Sequence, residues 1–276
     1  MNTPSGHATR QAGGRSHYFA RAGASLGCLL AIFALSYQAY SAAAATFDAP
    51  IVPADPAAAG RELVARLLAM KPAESVTNEA VLRIRTNKNS QFEVPLRIEV
   101  QVTETNWSTT YRTVPTTNAA AATVFTLTRR PSGRNHYELR RDDGDLKGSI
   151  HLTADDAMTP FAGSDFWLAD LGMEYLQWPT QRLLKKEICR SQSCDKLESI
   201  APEGLATPYV RVISWVDIDT GGPVLVEAYD AKGKMVKEFK PNDFAKVNGQ
   251  WQVEELEISN LRTGSHSFIH FHLEGK

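Results

Sequence analysis

The chain has 276 residues, 43% of them hydrophobic, with 30 basic and 31 acidic side chains and a net charge of −1. That balance argues against a nucleic-acid binder, whose affinity for phosphate calls for a strongly basic face. The length suits one globular domain with a substantial core.

The N-terminal residues read as an export signal. Arg10, Arg15 and Arg21 precede an apolar run from Leu26 to Leu35, and small residues follow up to Ala45. A basic region, a short apolar core and a small-residue cleavage site are the marks of a secretory signal, and the run is about half the roughly 20 residues that a spanning helix needs. We expect 1–45 to be removed near Ala45, leaving an extended lead over 46–56, one domain over 57–276 and a periplasmic location. Cleavage takes three arginines and no acids, for a net charge near −4 on the mature chain.

Asp55-Pro56 predicts a helix start, with Asp55 as cap and Pro56 at the first helical position. Leu63, Val64, Leu67, Leu68 and Met70 recur at helical spacing, and Pro72 ends the run. From Asn78 the period changes to two. Leu82 and Ile84, then Phe92, Val94, Leu96, Ile98, Val100 and Val102, alternate with polar residues and predict long antiparallel strands with one dry face. Pro95 lacks a donor, which predicts a bulge or an edge there. Further strands are expected over 107–114, 123–130, 135–141 and 147–153, with the turn Asp142-Asp143-Gly144-Asp145 between the last two.

The alternation stops at 160–178. Phe161, Phe166, Trp167, Leu168, Leu171, Tyr175 and Trp178 crowd together without a polar face. Ser164 and Asp165 suit the start of a short helix and Gly172 its end. Such a stretch in a β-rich chain closes a core or a cavity mouth. We take these seven apolar residues as candidates for the mouth and wall of an apolar cup, and Ser164 and Asp165 as the cap of its flap.

Cys189 and Cys194 are the even pair left in an exported chain, flanked by strand-like sequence, and predict a disulfide stapling a hairpin. Strands over 209–218, 224–230, 235–240, 244–247, 251–259 and 267–273 follow, with Asn248-Gly249 the strongest hairpin signal. His266, His270 and His272 share one face of the last strand, opposite Ile269, Phe271 and Leu273, which places them toward solvent. The sequence shows no zinc-protease motif, nucleophile elbow, phosphate loop or dinucleotide fingerprint. The expected fold is mainly β, a β-rich α+β chain. Its strongly curved antiparallel sheet, or half-open barrel, wraps on the N-terminal helix and the short flap helix.

The order GSDFWLADL, ISWVDIDTGGPVLVEAYDAKGKMVKEF and VNGQWQVEELEISNLRTGSHSFIHF resembles the LolA-like outer-membrane lipoprotein-sorting family over residues 161–273. The Cys189–Cys194 hairpin and the alanine-rich insert 118–122 depart from its pattern. The resemblance implies a LolA/LolB-like half-barrel that takes a lipid or the acyl chains of a lipoprotein toward the outer membrane. It implies an inner-membrane lipid exporter and an outer-membrane acceptor as partners, with no nucleic acid. No catalytic residues, metal or cofactor follow from it, so a non-enzymatic carrier or chaperone is the leading expectation. A lipid sensor or transporter accessory subunit, and a carboxylate- or histidine-based hydrolase, are the alternatives.

Overall fold

The computed structural model describes residues 52–274 except 89, 116–120, 131–132, 143–148, 153–155 and 248. The expected signal over 1–45, the first part of the lead, the carboxylates Asp143, Asp145 and Asp155 and residues 118–120 of the insert lie outside the described residues.

Asp55 Oδ1 accepts from the amides of Ala57 and Ala58, at 3.0 and 2.9 Å. Pro56 has no amide to lose and opens helix α1, Pro56–Ala69, as predicted. Its buried stripe is Leu63, Val64 and Leu67, with Leu68 and Met70 packed beside it.

A first meander runs through β1 (Val76–Arg85), β2 (Gln91–Val102), β3 (Trp107–Thr113), β4 (Ala122–Arg129), β5 (His136–Asp142) and β6 (Ser149–Leu152). Then come a short helix α2 (Leu168–Gly172) and a 3-10 turn, Glu174–Gln177. The second meander is β7 (Thr180–Cys189), β8 (Gln192–Ile200), β9 (Arg211–Asp217), β10 (Pro223–Tyr229), β11 (Met235–Val247), β12 (Gln250–Asn260) and β13 (Ser265–Phe271). Among the described residues these form one 13-stranded sheet in the order β6-β5-β4-β3-β2-β1-β13-β12-β11-β10-β9-β8-β7.

Every neighbouring pair is antiparallel, and β1 against β13 joins the two meanders. Consecutive strands β6 and β7 therefore stand at opposite edges. The segment between them has to cross one face of the sheet. Thirteen strands laid flat would span roughly 58 Å at the usual spacing near 4.8 Å. Curling of the sheet shortens that crossing for a connection partly coiled into helical turns.

The covered face is the dry one. On the first meander it carries Ala80, Leu82, Leu96, Ile98, Tyr111, Phe125, Leu127 and Tyr137, continued by Ile269 and Phe271 of β13. The crossing segment packs there, while α1 covers Leu183, Leu197, Val212 and Val216 of β7–β9.

Two expectations change. Pro95 lies within interior strand β2, opposite Val81, not at an edge. Its carbonyl accepts from Val114 N at 2.8 Å, just past the end of β3. N and C=O of one strand residue point to the same neighbour, so the missing donor faces a strand that has already ended. The separate strands expected over 235–240 and 244–247 are one strand, β11, whose register shifts beside Pro241 and Asp243. Pairing of β11 with β12 reaches Val247 and Gln250 around Gly249 at φ +84, in the expected hairpin, whose Asn248 lies outside the described residues.

Gly60 is where α1 meets the sheet most closely. A Cβ there would stand 2.7 Å from the main chain of Gln181 and Arg182. On helix propensity alone, Gly60→Ala would stabilise the chain by about 1 kcal/mol. Because the obstacle is backbone, we expect a loss of about 1–3 kcal/mol instead, read as a lower urea midpoint.

Candidate functional site

The crossing segment is a strap, and polar side chains fix its place. It begins with a reversal in which Ala162 and Gly163 take φ of +49 and +75. Phe161 N donates to Phe166 O at 2.7 Å, and Pro160 bridges to Trp167. Ser164 Oγ donates to Phe161 O at 2.7 Å and accepts from Phe166 N at 3.2 Å. Ser164 thus closes the reversal, not a helix.

Asp165 does not cap the flap helix as expected. Helix α2 starts later, at Leu168, with Trp167 as its N-cap, and the carboxylate that reaches back to Trp167 N, at 2.9 Å, is Asp170. Asp165 is buried and faces the second meander. Its Oδ1 accepts from Ser265 Oγ at 2.7 Å and Asn260 Nδ2 at 3.1 Å, and its Oδ2 accepts from Ser267 Oγ at 2.9 Å. This first anchor ties the strap to β12 and β13.

Asp170 is the second anchor. Lys237 Nζ, on β11, lies 2.6 Å from its Oδ2, and Tyr209 Oη donates to its Oδ1 at 2.7 Å. Lys237 is only 5% exposed, and its ammonium also stands 3.7 Å from the centre of the Trp167 ring. Burial pushes the Lys237 pKa down, against the pull of Asp170. Burial and the same carboxylate hold the Tyr209 phenol well above its ordinary value.

The third anchor is on the first meander. Glu174 is buried and accepts from Tyr137 Oη and from Asn135 Nδ2 at 3.2 Å. Arg129 Nη2 and Asn135 Nδ2 both donate to Gly172 O, at 2.7 and 3.1 Å. Gly172 ends α2, as the sequence implied, and admits nothing larger: an added Cβ would meet Tyr137 Oη at 2.4 Å. Burial raises the Glu174 pKa, while its hydrogen bonds from Tyr137 and Asn135 and the nearby Arg134 and Arg129 act the other way.

The seven expected cavity residues divide between two clusters, and in both they are filling. Phe161, Phe166 and Leu168 are fully buried in the wall beside Tyr111, Phe125 and Phe271, and Leu171 packs at the margin. Ring centres lie 6.0 Å apart for Tyr111 and Phe161 and 6.1 Å for Phe166 and Phe239. Tyr175 and Trp178 enter the cluster under α1, and half-buried Trp167 stacks on Tyr209 at 5.8 Å. A space of about 20 Å³ remains beside Asp170, Tyr209 and Lys237, about enough for one water. The vacant hollow expected under the flap is occupied by the strap itself.

The larger space is elsewhere. At one end of the sheet, β11 and β12 overhang the β9–β10 and β7–β8 turns around a cavity of about 340 Å³, within the range of small-molecule sites. Pro223, Val224, Pro241, Phe244, Trp251 and Val253 line it, with Asp217, Thr220 and Arg190. Sequence reasoning missed this group. Its one signal was a bulky apolar residue on each side of the Asn248-Gly249 hairpin, Phe244 and Trp251, which stay 46% and 44% exposed.

The expected disulfide is not present. Both thiols are free, Cys194 buried and Cys189 half-buried. The register sets Cys194 opposite Glu187 and Cys189 opposite Gln192, so the two are diagonal neighbours rather than partners. Desolvation pushes the Cys194 thiol up to about 12. His266 and His270 lie on the wet face of β13, His266 3.3 Å from Glu257 and His270 3.6 Å from Glu255. Among the described residues, no group of three or more His, Cys, Asp or Glu is arranged to hold a metal ion. No helix among them is long and apolar enough to cross a membrane.

The anchors can be tested through stability. Asp170→Ala leaves the Lys237 ammonium buried without its carboxylate and should cost about 3–5 kcal/mol in chemical denaturation. Joining it to Lys237→Met should cost clearly less than the two single losses together, read as a double-mutant cycle. Glu174 gives a pH test. The folded chain binds its proton more tightly than the unfolded chain. Its contribution is therefore complete below the ordinary value of 4.5 and is lost as pH rises through the raised folded value. The stability of the native chain relative to Glu174→Gln should fall from pH 4.5 toward neutrality, followed by urea midpoints.

A family model described as "Uncharacterized protein" matches residues 144–273. No curated protein matches the sequence. Among solved structures, a DUF1329 family protein from Desulfovibrio piger is similar with a TM-score of 0.64 at 19% identity, covering 79% of this chain and 92% of its own. A putative outer membrane lipoprotein-sorting protein domain from Vibrio parahaemolyticus gives 0.63 at 20% identity, with the same coverages of 79% and 92%. A LolA superfamily protein from Nitrosomonas europaea gives 0.54 at 15% identity, covering 80% and 93%. The chain shares the fold of these three structures, an open antiparallel β-structure with few helices.

Proposed function

We propose that this protein is a periplasmic carrier that shelters a lipid, or the acyl chains of a lipoprotein, against its concave face on the way to the outer membrane. One observation carries the reading. An apolar wall spanning β1–β5 and β12–β13 is covered by a strap that side-chain hydrogen bonds and one largely buried ion pair hold to the sheet, with no strand of the strap added to it among the described residues. A cover built this way can leave as a unit and bare a dry surface.

The energies are of matching size. Phe161, Phe166 and Leu168 gain roughly 1.5–3 kcal/mol each from burial, and a long acyl chain gains about 0.8 kcal/mol per methylene. A guest can therefore offset the apolar burial that the strap's side chains give up, and the polar anchors set the remaining cost of opening. The fold shared with LolA-superfamily structures supports the same reading. Binding alone performs the task, with an inner-membrane exporter as the proposed donor and an outer-membrane acceptor beyond.

Native mass spectrometry of the protein taken from the periplasm of its own host should find an acyl lipid bound. Asp165→Ala, which cuts the tie to β12–β13, should speed uptake of a fluorescent fatty acid several-fold. Repeated absence of lipid, together with no uptake by either form, would overturn the carrier reading.

A further inference from the structure

The end cavity has two unlike walls. Pro223, Val224 and Pro241, with half-exposed Phe244 and Trp251, make an apolar surface open to solvent. The polar lining is Asp217, which is only 4% exposed, with Thr220, Gln192 and Arg190. Asp217 Oδ2 accepts from Thr220 N and Thr220 Oγ1, at 3.3 and 2.6 Å. Its Oδ1 is buried and has no hydrogen-bond partner among the described residues.

The surrounding main chain has little left to offer that oxygen. Asp217 N donates to Gly222 O, Ile218 N to Ser193 O and Gly221 N to Asp217 O. Gly222 N donates to Thr220 Oγ1. Asp217 also has no ion pair with any described lysine, arginine or histidine. Buried carboxylate oxygens are ordinarily paired; this one is closed to solvent, and a small turn of the Asp217 side chain toward the cavity it lines would offer it to a donor, preferably a cation, that arrives from outside.

Asp217 and Thr220 also border a second hollow, of about 290 Å³, between α1 and the β9–β10 turn. Asp195 lines that hollow too, and its Oδ1 likewise lacks a hydrogen bond, although Lys186 stands 3.8 Å away. An apolar shelf and a carboxylate-bearing recess thus meet at Asp217. A molecule with a hydrocarbon tail and a cationic, hydrogen-bond-donating head satisfies both.

We propose that this end of the sheet is a head-group site for an amphiphile bearing a primary ammonium, which donates to Asp217 Oδ1 while its tail lies against Phe244 and Trp251. The inference deepens the carrier reading and rests on it for the nature of the tail. It locates recognition at the end cavity rather than beneath the strap.

The test uses two probes with the same tail and charge, dodecylammonium and dodecyltrimethylammonium, of which the first alone has N–H donors. Calorimetric titration of the mature chain, below the micelle concentrations, should show dodecylammonium at least about tenfold tighter, or about 1.4 kcal/mol. Asp217→Asn should bring the two probes within about threefold of each other. Trp251→Ala, at a half-exposed position that spares the core, should weaken both several-fold and leave their ratio unchanged, in keeping with loss of tail burial alone.

Equal affinity of the native chain for both probes would overturn the site, whether or not Asp217→Asn folds. A preference that survives Asp217→Asn would do the same. If neither probe binds while an acyl lipid still copurifies, the head-group site fails and the carrier reading stands. If the preference is present but no lipid ever copurifies and neither the native chain nor Asp165→Ala takes up the fatty acid, the site stands and the carrier reading fails.

Discussion

The strap's position follows from connectivity. Strands consecutive in sequence, β6 and β7, are the two edges of the sheet, so the chain between them has to lie across its dry face. Apolar packing supplies the attraction but does little to specify where along a greasy wall the segment sits. Three carboxylates do that, Asp165 and Glu174 buried and Asp170 largely so. Asp165 engages β12 and β13, Asp170 engages Lys237 of β11, and Glu174 engages Tyr137 of β5. Each is costly to bury and tolerable only where its partners stand, which turns three polar contacts into a register for the whole crossing.

Such an arrangement stays apart from ordinary core construction. A strap joined by strand pairing would be continuous with the sheet and would leave only with partial unfolding. A strap seated by aromatic side chains and polar side-chain bonds forms a unit with its own boundary. Its ends include residues in left-handed conformations, Ala162 and Gly163 on one side of α2 and Met173 on the other. The wall it covers is apolar over most of its area. Space at the end of the sheet is already open, because β11 and β12 extend past the start of β10 and there pair only with each other, at Phe244–Val253 and Lys246–Trp251.

Much of this was legible from local pattern. The Asp55-Pro56 helix start, the period-two strands, the break in alternation near 160 and the Asn248-Gly249 hairpin rest on residues close in sequence. Lys237 could have been found, since alternation places it on the same face as Met235 and Phe239, where a lysine needs a partner. Other features lay beyond such reading. The reach of Asp165 to Ser265 and Ser267 spans about a hundred residues, and helical acid preference suggested a nearer role. The cysteine pair failed for a similar reason, because a hairpin's register decides whether two side chains are opposite or diagonal.

By itself, the sequence determined that the chain is mainly β, that one amphipathic helix precedes the strands, and that an aromatic segment interrupts them. These depend on periodicity and on backbone chemistry at caps and turns, both carried by neighbouring residues. Only the tertiary structure decided that the aromatic segment fills the concave face instead of roofing a void, and that the open volume lies where β11 and β12 overhang the turns. Occupied and vacant space depend on which distant side chains arrive at the same place, and that is set by strand order and curvature.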